Sequence, residues 1–503
     1  MLKSVMLGTL CLACVGAMNA AAADLAGIKK RAVAGVEARA KLAQQINDSL
    51  FSFAELGYQE IETSRYLTEL LEQHGFEVQR GVAGMPTAWV ARWSNGVGGP
   101  VIALGSDIDC IPKASQKPGI PWREPLVEGA PGHGEGHNSG QAVNVAAALS
   151  VQEVMRSSNI AGTLMLWPGV AEELVGGKAY MVRDGVFRNV DAVIFTHVAD
   201  NLAVSWGQPR GTGLVSVQYT FHGEAAHSAI APWRGRSALD AVELMSVGCN
   251  YLREHIPSDC RLHYAYLDAG GIAPNVVQAK AKVRYAIRAT DLPGMFALNE
   301  RVKKVAQGAA MMTETTVDIS IMSAVSNLLG NTPLEIAMHS NMERLGGVPF
   351  DDADRAFAAR IQATLSREDI ETDYLRVGQP LAENEPLCDY VLPREQKGVP
   401  MIGSTDLGDV SWVVPTVQAR VATHAIGSPG HSWQITAQGK MPAAHKGMVY
   451  AAKVMAGTAL DVLRDEKLLN DAKADHKART AKTPYTCPIP PEVNPPLQPR
   501  PAE

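Results

Sequence analysis

The 503-residue chain carries 46 Lys+Arg against 52 Asp+Glu, a formal net charge of -6, and 46% of its residues are hydrophobic. That length and apolar content can bury a large core divided over two or more domains. The mild acidity argues against nucleic acid as a partner, and beyond the N-terminus no apolar run is long enough to span a bilayer.

At the N-terminus, Lys3 precedes an apolar run from Val5 to Ala17 and a small-residue stretch, Ala20 to Ala23, before Asp24. This is the pattern of a signal peptide, residues 1–23, and it predicts a periplasmic or secreted protein without a stable membrane span. Cys11 and Cys14 leave with that segment. The other five cysteines (Cys110, Cys249, Cys260, Cys388 and Cys487) show no zinc-finger spacing and are odd in number. In an oxidising compartment the first choice for a disulfide among them is Cys249 to Cys260.

Between residues 87 and 200, apolar runs at Val101 to Leu104, Thr163 to Trp167 and Ala192 to Phe195 alternate with helical patterns at Ala142 to Met155 and Gly177 to Arg183. Runs without two-residue alternation, separated by helices, predict an α/β fold with a mostly parallel, mixed sheet covered on both faces. Such a sheet holds its ligands at the carboxyl ends of its strands. From about residue 214 the pattern changes. Alternating segments at Val215 to Phe221, Arg261 to Leu267, Val276 to Arg288 and Thr316 to Met322 enclose helices at Ser237 to His255 and Met295 to Met312. The order β-α-β-β-α-β predicts a ferredoxin-like α+β unit inserted in the larger domain. Helices and apolar runs then resume, ending in a helix at His445 to Arg464. Thr483 to Pro501 is dense in proline and is expected to be extended or mobile.

Four places carry residues suited to metal chemistry. Gly132-His-Gly-Glu-Gly-His-Asn138 combines flexible joints with two imidazoles and the carboxylate of Glu135, just before a helix. Glu172 and Glu173 follow a predicted strand, where neighbouring side chains can diverge so that one binds metal and the other faces a water. His197 ends another buried run, and His431 lies in the glycine- and proline-rich loop Gly427-Ser-Pro-Gly-His431. Trp233, Met401, Trp412 and Trp433 are candidates either for pocket walls or for core.

Together with Asp107-Ile-Asp-Cys-Ile-Pro112, Ala226-His-Ser228, Pro232 to Ser237 and Gly403 to Trp412, these segments make the chain resemble the di-metal peptidase family of aminoacylases, glutamate carboxypeptidases and auxin-conjugate hydrolases. The resemblance runs from about residue 35 to 465, and its nearest branch is of the aminobenzoyl-glutamate hydrolase kind. It implies a catalytic metal-binding domain at 24–213 and 326–470, a lid and dimerisation domain at 214–325, and a tail at 471–503. It implies metal ligands at Glu135, His137, Glu173, His197 and His431, a general base at Glu172, and a lid histidine, His227, lent to the neighbouring subunit's site. Asn275 and Arg288 match lid groups that contact the substrate's carboxylate end. The branch has cysteine where this chain has Glu135. A carboxylate can also bridge two cations but is a harder ligand, so of the two divalent ions expected, Mn or Zn, manganese gains weight.

The activity implied is hydrolysis of an amide in an N-acyl or N-aryl amino acid, with p-aminobenzoyl-glutamate or a related conjugate as the small-molecule substrate. The partner implied is a second copy in a homodimer, or a similar subunit. A dipeptidase or deacylase of the same fold and a noncatalytic metal-binding partner subunit are the alternative readings.

Overall fold

A computed structural model describes residues 24–497 except 175, 205–210, 383 and 395–402. The expected signal peptide at 1–23, Met401 and the last six residues lie outside the described residues. Three helices open the fold, α1 (24–38), α2 (Ala40–Phe53) and α3 (Ile61–Gln73). Strands β1 (Glu77–Arg80), β2 (Trp89–Asn95) and β3 (Val101–Asp107) follow, then α4 (Gly140–Ser157), β4 (Gly162–Gly169), α5 (Gly177–Arg183), β5 (Ala192–Ala199) and β6 (Ala203–Val204). The second unit comprises β7 (Gly213–His222), α6 (Ala238–Leu252), β8 (Arg261–Asp268), β9 (Lys280–Ala289), α7 (Leu292–Thr313) and β10 (Thr316–Val325). The chain returns through α8 (Thr332–Leu345), α9 (Asp352–Gln362), α10 (Arg367–Arg376), α11 (Leu407–Val413), β11 (Thr416–Ala422), α12 (Trp433–Gln438), α13 (Pro442–Arg464) and α14 (Glu466–Thr480).

The larger sheet has the order β1-β2-β4-β3-β5-β11-β6. Its four inner strands β4, β3, β5 and β11 are parallel, and β1, β2 and β6 pair antiparallel at the edges. The parallel strands are apolar almost throughout because both faces are covered; β4 and β5 are buried over most of their length. Helices α4 and α13 pack against each other and on this sheet. Small residues allow the close approach, and Pro442 starts α13 where a missing N–H is tolerated. Strand β11 falls outside the strand pattern read from sequence because Gln418 and Arg420 interrupt its apolar run. It pairs parallel to β5 from Thr416 opposite Val193 to Ala422 opposite Ala199, which sets Arg420 beside His197.

The smaller sheet is wholly antiparallel, in the order β10-β7-β9-β8, with α6 and α7 packed against it. Its alternation is plain in β9, whose residues switch between buried and more exposed along the strand. Serine and aspartate side chains cap the two helices, Ser237 accepting from Asp240 N and Asp291 from Gly294 N. The expected start of β9 at Val276 is corrected to Lys280: Gly270 and Gly271 adopt positive φ, Pro274 lacks a donor, and residues 269–279 form a loop.

Two further expectations are revised. No disulfide joins Cys249 to Cys260; all five described cysteines are free, with Cys249 turned from α6 into the core and Cys260 at the start of β8. The tail does not begin at 471, since α14 continues to Thr480, and the proline-rich stretch after it is irregular yet docked, with Ile489 1% exposed. Among the described residues no helix is long and apolar enough to cross a membrane.

Candidate active site

The carboxyl ends of the parallel strands deliver the polar side chains to one place. Asp107 ends β3 and Asp109 follows it; Glu172 and Glu173 occupy a single helical turn after β4; His197 lies near the end of β5. The loop before α4 adds Glu135 and His137, and the loop after β11 adds His431. His133 in the same loop has a different task. It is 2% exposed, its Nε2 donates to the Leu50 carbonyl at 3.1 Å, and burial together with the charge of His137 pushes its pKa down to about 3. It is a neutral anchor tying the loop to α2.

His137 donates from Nδ1 to the Asp109 carbonyl at 3.1 Å, with an Asp109 carboxylate oxygen 3.4 Å away, and His197 donates from Nδ1 to the Val198 carbonyl at 2.8 Å. Those bonds orient both rings so that their Nε2 atoms face each other at 3.3 Å. Two Nε2 atoms so close share either a proton or a cation between them. Two nitrogens each about 2.0–2.1 Å from a tetrahedral ion would stand about 3.3 Å apart. The charges agree. Burial disfavours a charged His137, but Asp109, Asp107 and Glu173 outweigh it and hold its pKa well above the usual histidine range, whereas burial and His137 push His197 down to about 4.

Carboxylates complete the ring of donors. Glu173 N donates to Asp109 Oδ2 at 3.0 Å, Glu173 Oε2 meets His431 Nε2 at 3.1 Å, and His431 N donates to Glu135 Oε1 at 2.9 Å. Gly430 permits the last contact, since a Cβ there would fall 2.4 Å from Glu135 Oε1. Ligand atoms of Asp107, His137 and His197 lie within 4.8 Å of one another, as do those of His137, Glu172 and Glu173. Among the described residues, the buried oxygens Asp107 Oδ2 and Glu173 Oε1 have no hydrogen-bond partner. Such groups are costly unless a cation satisfies them, so these residues fit divalent metal ions. Burial, with Asp107 and Asp406 adding repulsion, raises Glu172 well above the usual carboxylate range despite Lys178 and His137. A carboxyl group so perturbed at a cleft is suited to carrying a proton.

Behind these groups, Lys178 is fully buried and pairs with both Asp107 and Asp406. In front, a cleft of about 340 Å³ is lined by Glu135, His137, Glu172, His197 and His431 and extends past Asp200, Asp373, Arg376, Arg420 and His424. Asp373 pairs with Arg376 at 2.8 Å and shares a hydrogen bond with Asp200; burial and the Asp200 charge push it up to about 8.

The structure therefore brings Glu135, His137, Glu172, Glu173, His197 and His431 together. It does not bring His227 and Asn275 to this chain's cleft. Both are exposed on the smaller unit, side by side, with Ser228 N donating to the Asn275 carbonyl at 3.0 Å. Arg288 reaches the cleft rim, donating to Ser404 Oγ at 2.7 Å. Among the described tryptophans none lines the cleft: Trp233 is 73% exposed, Trp412 is buried with its Nε1 donating to the Asn327 carbonyl, and Trp433 packs on the core. Sequence reasoning missed Asp107, Asp109, Lys178 and Asp406 as site residues. The alternation of two aspartates at a strand end, and a lysine inside a short apolar helix, were the available signals.

A family model described as "Peptidase dimerisation domain" matches residues 212–310. The chain is 38% identical over 470 residues to one of the two kinds of p-aminobenzoyl-glutamate hydrolase subunit of Escherichia coli (strain K12), covering 92% of this chain and 97% of that protein. It is 28% identical to the Xaa-Arg dipeptidase of Mus musculus, over 92% of this chain and 95% of the relative. Its fold matches a dinuclear metal-binding peptidase of the M20 family from Bacillus subtilis with a TM-score of 0.54 at 17% identity, over 85% of this chain and 99% of the other.

Proposed function

The chain belongs to the M20 peptidase family, a family of peptidases and amidohydrolases, and from that premise we propose that it is an exported, dimeric amidohydrolase cleaving an N-acyl or N-aryl amino acid such as p-aminobenzoyl-glutamate. The observation that carries this reading is the pair of Nε2 atoms of His137 and His197 at 3.3 Å, ringed by carboxylates, with Glu172 in the same cleft. Divalent cations held by Glu135, His137, Glu173, His197 and His431 supply, when bound, a water of lowered pKa and polarisation of the amide carbonyl. Manganese suits the oxygen donor of Glu135 better than zinc does.

Glu172 takes the proton of the attacking water and returns it to the leaving nitrogen. His227, exposed on the smaller unit, donates to the oxyanion in the neighbouring subunit's cleft, and a homodimer or a similar subunit completes each site. Asn275 beside His227, and Arg288 at the rim, receive the substrate carboxylate. Export rests on residues 1–23.

One observation favours a dipeptidase reading: the 28% identity to the Xaa-Arg dipeptidase of Mus musculus over 92% of this chain. Purified protein with manganese or zinc and a panel of N-acyl amino acids and dipeptides tests these readings. Release of glutamate from the aryl conjugate supports the first, and turnover of basic dipeptides alone supports the second. Metal binding with no turnover on any member overturns both and leaves a noncatalytic partner subunit.

A further inference from the structure

The proline-rich stretch after α14 lies against two short helices that stand behind the candidate site. Proline has no N–H, so such a segment is extended and its carbonyls seek donors elsewhere. One face of α5 provides them. Arg183 Nη1 donates to the Pro490 and Val493 carbonyls, each at 2.9 Å, and Tyr180 OH donates to the Asn494 carbonyl at 3.1 Å. Between those handholds and Tyr485, Pro488 and Ile489 are buried. Tyr485 OH donates at 2.9 Å to Asp409 Oδ1 on α11, a carboxylate that also accepts from Ser326 N and Oγ.

The two helices so bridged carry the buried ion cluster. α5 carries Lys178, and Asp406, the residue immediately before α11, accepts from both the backbone N and the ammonium of Lys178. Lys178 in turn binds Asp107 Oδ1, leaving Asp107 Oδ2 toward His137 and His197. Space for this arrangement depends on Gly169, where a Cβ would stand 2.0 Å from Asp107 Oδ1 and 2.6 Å from Lys178 Nζ. Glu172 lies in the helical turn that packs against α5, so the placement of α5 bears on that of Glu172.

We propose that residues 484–497 form a strap whose contacts with Tyr180 and Arg183 on α5 and Asp409 on α11 hold Lys178 and Asp406 together, and thereby position Asp107 and Glu172 for the hydrolytic reaction. Tyr180, Arg183 and Tyr485 are positioning residues that touch neither substrate nor metal. The strap acts by geometry. Its prolines limit the freedom lost on docking, so a few carbonyl contacts suffice to keep it in place. This inference rests on the reading of the site as hydrolytic for its catalytic part, and on the metal site alone for its binding part.

The test uses the full chain with Arg183→Met, Tyr485→Phe and the pair, plus Arg183→Lys as the conservative replacement. Circular dichroism confirms folding, and Tyr485→Phe, which removes one hydroxyl, serves where Arg183→Met fails to fold. Manganese affinity is measured by titration without substrate, and kcat and KM are measured separately. The expected result is a manganese dissociation constant raised about fivefold to tenfold and kcat lowered about tenfold in the pair, with KM within twofold and Arg183→Lys recovering part of both. Unchanged manganese affinity and kcat in a folded pair, with only thermal stability reduced, overturns the strap's positioning role. If the wild-type chain binds manganese but turns over no amide, the hydrolase reading fails while the titration still decides for or against the strap.

Discussion

Replacing Lys178 by methionine keeps most of the apolar stem of the side chain and removes the ammonium, with its charge and its donors to Asp107 and Asp406. In the folded chain Lys178 is 0% exposed, and its partners Asp107 and Asp406 are 1% and 0% exposed. The variant would leave two carboxylates in one dry pocket with no cation, a change that costs about 3–5 kcal/mol when one partner of a buried pair is lost. Burial already lifts Asp406 to about 6 against the opposing pull of Lys178, and without that pull it rises further. An acid whose folded pKa lies above its unfolded value weakens the fold as pH climbs from the unfolded value through the folded one. The loss is therefore largest near pH 8 and shrinks toward pH 5.5, where Asp406 is largely protonated in the folded wild type and the folded variant alike. Urea unfolding of chelator-treated wild type and variant, followed by tryptophan emission, reads this out; the buried Trp167 lies 5.6 Å from Phe195, whose ring is 5.6 Å from Lys178 Nζ. A midpoint lowered by about 1–2 M urea at pH 8 is expected. A loss below about 1 kcal/mol at pH 8, or a loss greater at pH 5.5 than at pH 8, would refute the reasoning.

Glu172→Gln should retain metal, measured by elemental analysis, while turnover falls by about 10²–10⁴, the usual contribution of a general base; near-normal turnover removes Glu172 from that role. His431→Ala should lower metal occupancy itself, because it deletes the nitrogen 3.1 Å from Glu173 and loosens the loop that bonds Glu135. Mixing His227→Ala chains with Glu172→Gln chains, each inactive alone, should restore part of the activity in verified mixed dimers, and a complete lack of rescue argues against a site shared between subunits. Glu135→Cys should shift the metal preference from manganese toward zinc and make activity sensitive to oxidant; equal behaviour under both conditions removes the proposed reason for a carboxylate at that position.

Much of this protein is written locally. The runs at Val101, Thr163 and Ala192 became the inner parallel strands because a strand covered on both faces must be apolar at every position. The β-α-β-β-α-β unit was visible because one face of its sheet meets water and the alternation survives in sequence. Glu135, His137, Glu172, Glu173, His197 and His431 were legible because each lies in or beside a loop at a strand or helix end, where glycine and isolated polar residues stand out against apolar surroundings.

Other features depended on partners distant in the chain. Edge strands β1 and β6 are four and two residues long, too short for any periodicity to register. Lys178 pairs with residues 71 and 228 positions away; its apolar helix marks it as buried, but nothing near it in sequence says which acids neutralise it. Tyr485 and Ile489 sit in a stretch whose prolines indicate only an extended chain; what they dock against was decided by α5 and α11. Local composition determined the elements and the chemical types at their ends, since backbone preference and burial pattern act over a few residues. The tertiary structure alone decided which charges share a pocket, because electrostatic pairing in a dry interior depends on distance in space and is indifferent to distance along the chain.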